Sequence, residues 1–227
     1  MSRMLAIDVY FDLICPWCLI DRRHLTTAVQ RFAGLHPDVA IVVGWHSYPL
    51  LPGTPAEGVP YQSFYEERLG GREAVAARRA QVQEAARAAN IEFAFDRIRV
   101  LPNTLAAHRL IDCCARLGSA AQRESLIDAL FAAYFLRGED IGERRVLARV
   151  AAECGFAGET VAAWHGSDEA SQWVPEPAPS HVSGVPCHVF NGRLSASGAH
   201  RPEVLLDVME QAILAPAAGR PAPSMKL

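Results

Sequence analysis

The chain has 227 residues, half of them hydrophobic and 21% charged, with a formal net charge of −3 at pH 7. At roughly 150 residues per domain that is one large domain, or one domain carrying an insertion, and the apolar content supports a packed core rather than disorder. The slightly acidic balance argues against a nucleic-acid footprint, which needs a basic face; Arg78-Arg79 and Arg144-Arg145 sit among acidic residues and read as solvated helix faces.

The N-terminal run M-S-R-M-L-A-I-D-V-Y-F-D is interrupted by Asp8 and Asp12, so it is not the uninterrupted apolar stretch of a secretory signal. No stretch approaches the ~20 apolar residues of a membrane span. A cytoplasmic location and no membrane partner are the expectation. There stable structural disulfides are rare, and a Cys-x-x-Cys pair is catalytic or metal-binding.

Residues 5–11 alternate, with Leu5, Ile7, Val9 and Phe11 on one face, which predicts a strand. The stretch D-L-I-C-P-W-C-L-I-D-R-R follows, with Pro16 where a helix would begin; the helix-compatible run extends to Phe32 and ends near Gly34. Residues 39–45, V-A-I-V-V-G-W, predict a second, buried strand parallel to the first. The Pro- and Gly-dense segment 51–60 marks a boundary. Beyond it the chain turns Ala-rich and helical, with helices predicted over 72–89 (closing at Asn90), from Asn103 or Thr104 to Gly118, over 120–138 and over 143–155, and a shorter one before Trp173. After P-E-P-A-P-S, the strand V-P-C-H-V-F, the turn Asn191-Gly192 and R-L-S-A-S predict a β-hairpin. Pro202 then opens a helix with the apolar stripe Leu205, Val208, Met209 and Ala212.

Cys15 and Cys18 carry the chemistry. If Pro16 is the first helical residue, Cys15 is the N-cap, and its sulfur can accept a hydrogen bond from the Cys18 N–H. The positive end of the helix dipole favours a thiolate there. Cys18, one turn inside, stays protonated until it attacks a mixed disulfide on Cys15. A structural zinc would need two further ligands, and Cys113, Cys114, Cys154 and Cys187 supply no second Cys-x-x-Cys; no metal is expected. Cys187, Cys154 and Cys114 read as core, Cys113 as partly exposed beside Arg109 and Arg116, and His24 as a surface residue.

A strand, a C-P-W-C helix, a strand, then G-V-P and a hairpin resemble the thioredoxin fold, and the helical insertion resembles the DsbA family. The runs L-P-N-T-L-A-A-H-R-L at 101–110, L-F-A-A-Y-F-L-R-G-E-D-I-G at 130–142, V-S-G-V-P at 182–186 and S-G-A at 197–199 resemble its FrnE-like branch. The resemblance covers about residues 5–215 and implies an α/β thioredoxin-like fold carrying an inserted all-helical subdomain. Residues 1–61 and 173–215 would be its thioredoxin-like parts, 62–172 the insertion and 216–227 a flexible tail.

The implied activity is thiol–disulfide oxidoreductase or isomerase, acting on a thiol- or disulfide-containing protein or small molecule. No cofactor is implied beyond glutathione as a possible co-substrate. Cys15 would attack and Cys18 resolve. Pro186 matches the cis-proline that faces the dithiol, and Val185 before it would offer backbone groups to an extended substrate. Pro16 and Trp17, between the thiols, would contact substrate, with Trp17 exposed. Asn103, Thr104 and His108 either cap and fill their helix or line a substrate groove. Where thioredoxins place a buried acid, six residues before the first cysteine, this chain has Val9; Asp8 or Asp12 could substitute as proton acceptor for Cys18, Asp12 being the candidate relay.

Two alternatives stay open. One is a glutathione-dependent isomerase or transferase of the kappa-class or 2-hydroxychromene-2-carboxylate isomerase kind, whose members as a rule carry serine where this chain has Cys15. The other is a non-enzymatic metal- or peptide-binding protein.

Overall fold

A computed structural model of the chain describes residues 3–156, 158, 161, 164 and 173–214. The short helix expected before Trp173 and the tail 216–227 lie outside the described residues. The elements in chain order are β1 (Arg3–Phe11), α1 (Pro16–Leu35), β2 (Val39–Ser47), β3 (Val59–Pro60), α2 (Tyr61–Leu69), α3 (Arg72–Arg87), a 3-10 turn (Phe95–Arg97), β4 (Val100–Leu101), α4 (Leu105–Leu117), α5 (Ala120–Phe135), α6 (Arg144–Glu153), β5 (Cys187–Phe190), β6 (Leu194–Ser197) and α7 (Pro202–Leu214). They fall into two compact units, one made of Met1–Tyr48 with Glu176–Leu227 and the other of Pro49–Pro175.

The first unit is built on a four-stranded sheet in the order β2-β1-β5-β6. β1 and β2 run parallel from Arg3 opposite Val39 to Phe11 opposite Ser47, while β5 is antiparallel to β1 and β6 antiparallel to β5. The alternation read in 5–11 holds: Leu5, Ile7, Val9 and Phe11 are buried. α7 packs on α1 and β1 through Leu205, Val208, Met209 and Ala212. Burying each of the three large side chains is worth roughly 1.5–3 kcal/mol, well above the tenths that separate helix propensities, so packing holds this helix in place. It also covers one face of α1. His24, expected at the surface, is buried there, with Nδ1 2.8 Å from the His200 carbonyl oxygen.

The hairpin turn is as predicted, with Asn191 at φ 49° and Gly192 at φ 66°. Asn191 does more than turn the chain. Its side-chain oxygen accepts from the Ala6 N–H at 2.9 Å, its amide donates to the Ala212 carbonyl at 3.0 Å, and its own N–H donates to Ala6 at 2.8 Å. One residue thereby ties the hairpin to β1 and to α7.

In the second unit α3 and α4 match their expected spans, and Asn90 adopts a positive φ of 54° beyond α3. α5 opens on a capping box in which Ser119 and Gln122 satisfy each other's backbone N–H groups. The aromatic rings of Phe93, Phe95, Phe131, Tyr134 and Phe135 pack on one another. Helix α2 was not expected. It carries no apolar stripe, only Tyr61 of it is buried, and it starts directly after the segment that sequence assigns to a boundary. The two-residue β3–β4 pair is likewise too short to leave a pattern.

Two cysteine expectations change. Cys113 is buried, because α4 buries Ala107, His108, Leu110, Ile111, Cys113 and Cys114 and so is covered over most of its girth. Cys154 is only half-buried, since it is the C-cap of α6 rather than an interior position on its stripe. Cys114 is fully buried as expected; burial, with the charges of Cys113 and Cys154, pushes its thiol up to about 12.

Candidate active site

The chain leaves β1 at Phe11 and makes one tight turn, closed by the Cys15 N–H donating to the Asp12 carbonyl at 3.1 Å, before α1 begins. Cys15 is the N-cap, in extended conformation (φ −90°, ψ 109°), and Pro16 occupies the first helical turn. The missing N–H of proline costs nothing there, because that group would have no helical partner. The dithiol thus stands at the positive end of a 20-residue helix.

The expected cap bond to sulfur is absent. The Cys18 N–H donates instead to the Cys15 carbonyl at 3.0 Å, and the Cys15 thiol is directed at the Val185 carbonyl oxygen, 3.8 Å away. Backbone closes the first turn, which leaves the sulfur free to face the segment 170 residues later.

The Val185–Pro186 peptide bond is cis and Pro186 is buried. Its carbonyl accepts from the Gly198 N–H at 2.8 Å, which anchors it to the strand-end loop after β6.

Cys15 and Cys18 are both free thiols, 5% and 3% exposed. Burial pushes the Cys18 thiol well above its ordinary range; the hydrogen bond and charge of Cys15 add to this, a backbone hydrogen bond from Asp12 opposes it, and the Asp21 carboxylate raises it further. The two buried sulfurs therefore share a contact but differ in their surroundings: that of Cys15, at the helix start, faces the Val185 carbonyl, while that of Cys18 lies one turn inside.

The structure brings Asp12, Cys15, Pro16, Trp17, Cys18, Val185 and Pro186 into the first unit. Asp12 is fully buried. Trp17, expected to be exposed, is half-buried, as are Pro16 and Val185. Asn103, Thr104 and His108 belong to the second unit. There Asn103 donates to the Thr54 carbonyl at 2.6 Å and accepts from the Leu105 N–H at 2.9 Å, so it both holds the preceding loop and caps α4, while Thr104 and His108 are buried. Among the described residues, no group of three or more His, Cys, Asp or Glu is placed to hold a metal ion, and no helix is long and apolar enough to cross a membrane.

Sequence reasoning missed Asp21 and His188. Both are buried, at 1% and 0% exposure, and His188 Nε2 lies 2.9 Å from Asp21 Oδ2. Asp21 sits three residues after Cys18 and so shares its helix face. That spacing was the available signal, masked because D-R-R reads as the onset of a polar helix surface.

The family model described as a DSBA-like thioredoxin domain matches residues 6–210. No curated protein matches the sequence. Among solved structures, one described as a probable DsbA oxidoreductase from Streptomyces coelicolor superposes with a TM-score of 0.79 at 21% identity, covering 95% of this chain and 93% of its own. A 2-hydroxychromene-2-carboxylate isomerase gives 0.64 at 15% identity, over 91% and 95% of the two chains. The cytosolic disulfide reductase DsbM from Pseudomonas aeruginosa, solved with GSH, gives 0.56 at 14% identity, over 92% and 96%. These likenesses establish the shared fold.

Proposed function

This chain belongs to the DSBA-like thioredoxin domain family, and from that premise we propose that it is a thiol–disulfide oxidoreductase working through Cys15 and Cys18. The observation that carries the reading is the unlike pair of thiols: Cys15 at a helix N-terminus facing the Val185 carbonyl, Cys18 buried behind it with its proton held tightly.

The Cys15 thiolate attacks one sulfur of a substrate disulfide. A Cys15–substrate disulfide forms and the first substrate thiolate leaves. Cys18 then loses its proton and attacks the Cys15 sulfur, forming the Cys15–Cys18 disulfide and expelling the second substrate thiolate. Two electrons pass from dithiol to substrate; the reverse sequence oxidises the substrate. Proteins of this chemistry span about −270 to −120 mV, so the potentials of the partners set the direction.

The substrate is a protein or small-molecule thiol or disulfide, with glutathione as a candidate co-substrate and no bound cofactor required. Pro16, Trp17 and the Val185 backbone form the contact surface.

Turnover of a disulfide peptide with reduced glutathione tests the reading. Cys15→Ser should abolish it, and Cys18→Ser should accumulate mixed disulfides at Cys15. Full turnover by Cys18→Ser would instead favour a glutathione-dependent isomerase or transferase, which uses no resolving thiol.

A further inference from the structure

Two buried, ionisable side chains next to a reactive thiol need an explanation, because charge in a dry interior is costly unless paired. Asp21 and His188 approach at 2.9 Å, yet the Nε2 contact lacks hydrogen-bond alignment, and Asp21 Oδ1 and His188 Nδ1 also have no hydrogen-bond partner among the described residues. The pair is assembled from two elements. Asp21 comes from the Cys18 face of α1, and His188 from β5, two residues after Pro186. Packing alone would be served better by two apolar side chains of the same volume.

We propose that the Asp21–His188 pair is the proton store of the resolving step, holding Cys18 as a thiol while the pair carries one negative charge and taking up a proton as Cys18 releases its own. The inference rests on the oxidoreductase reading for its purpose. With a neutral imidazole and a carboxylate the pair is at −1; with an imidazolium and a carboxylate it is at zero. When Cys18 becomes a thiolate, the cluster of pair and thiol would go to −2 unless the pair is protonated. Proton uptake keeps the cluster at a net −1 throughout, so the net buried charge does not change when the thiolate forms, and the new thiolate and imidazolium offset each other. The coupling runs through charge across one helical turn, roughly 5–6 Å between Cβ atoms, not through contact. Cys18 gives its proton up and the pair gains one, and solvent balances the exchange. Asp21 and His188 are positioning residues in this scheme.

The elements around the cluster supply few other charges. On α1, Arg22 is turned over the Trp45 ring at 4.5 Å and His24 is committed to His200. Asp12 lies buried before the helix, and Cys187, the thiol of β5, has its sulfur 3.5 Å from Ser197 Oγ. On α7, Glu203 pairs with Arg31, Glu210 with His36, and Asp207 is exposed. Burial and Cys15 do most to push the Cys18 thiol up, and the Asp21 carboxylate adds to them in the same direction.

The test measures site-resolved alkylation of Cys18 by iodoacetamide from pH 5 to 10 in the Cys15→Ser chain. Asp21→Asn should raise the Cys18 rate at pH 7 by more than about tenfold, since a full charge one turn away is removed. A folded Asp21→Asn chain whose rate stays within twofold overturns the proposal. A second measurement leaves the pair intact: the His188 ring signals, followed by NMR in the reduced chain, should show an alkaline step as Cys18 ionises, absent in Cys18→Ala. Identical His188 titrations in the two chains would also overturn it. Neither readout requires turnover, so failure of the exchange assay would remove the oxidoreductase reading while leaving this coupling measurable.

Discussion

Tyr10 of β1 and Cys187 of β5 stand opposite each other in the antiparallel ladder, and both belong to a small apolar cluster with Val182 and Val189. The neighbouring pair, Val9 opposite His188, points to the other face of the sheet. Cys187, although next to Pro186 in the chain, is thereby turned away from the face on which His188 meets Asp21.

Cys187 is therefore expected to be a spectator. It is fully buried, and burial pushes its thiol up, with a hydrogen bond to Ser197 opposing. Cys187→Ala should leave the exchange rate within twofold and cost about 1 kcal/mol of stability, measured by a peptide-disulfide assay and by urea unfolding. A large loss of rate would bring Cys187 into the chemistry.

The buried thiols make stability sensitive to alkali. In the unfolded chain they ionise near 8.5; in the fold, burial holds Cys18, Cys114, Cys154 and Cys187 protonated to higher pH, Cys114 to about 12. Above about pH 8.5 the folded state binds more protons, so this contribution is complete below that pH and is lost as pH rises towards the folded values. Each such thiol contributes at most ~1.4 kcal/mol per pH unit of slope. Unfolding free energy measured in reductant should fall from pH 8 to 11, and less steeply in Cys114→Ala. A profile as steep in that variant as in the parent would show that Cys114 titrates alike in both states.

Asn191 should be the most sensitive surface position of the hairpin. Asn191→Ala leaves the Ala6 N–H and the Ala212 carbonyl without their side-chain partner and puts an alanine at φ 49°. The expected cost is about 2–4 kcal/mol. Asn191→Gly relieves the backbone part and should recover about 1 kcal/mol of it, a difference readable by denaturant titration.

In the second unit, Gly138 adopts φ +73°, and a Cβ there would stand 2.5–2.6 Å from the Arg97 Cβ and backbone. Because these are main-chain atoms and the Cβ fixed directly to them, they have no easy way to yield. Gly138→Ala should cost on the order of 2–3 kcal/mol and lower the melting temperature, while the same change at Gly34, where a Cβ meets nothing within 4 Å, should not.

Much of the architecture was written locally. The alternation of Leu5, Ile7, Val9 and Phe11, the Pro16 helix start, the Asn191-Gly192 turn and the stripe on α7 are short-range patterns, and each needs only its own segment to be recognised. Helix α2 escaped because a solvated helix with one buried residue leaves no periodicity to read. His24 and Cys113 were misplaced because their burial comes from partner elements, which no local window contains.

The sequence by itself determined the dithiol and its place at a helix N-terminus, since the proline of Cys-Pro-Trp-Cys carries a helix start in its own covalent chemistry; that Pro186 would join it followed from the resemblance to the thioredoxin fold. Only the tertiary structure decided what surrounds them. It turned the Cys15 sulfur to the Val185 carbonyl and brought Asp21 of the dithiol's helix and His188, 167 positions apart, to 2.9 Å. Those relationships depend on strand register and on which helix face meets which strand, and a shift of one residue in the β1–β5 register would turn His188 away from Asp21.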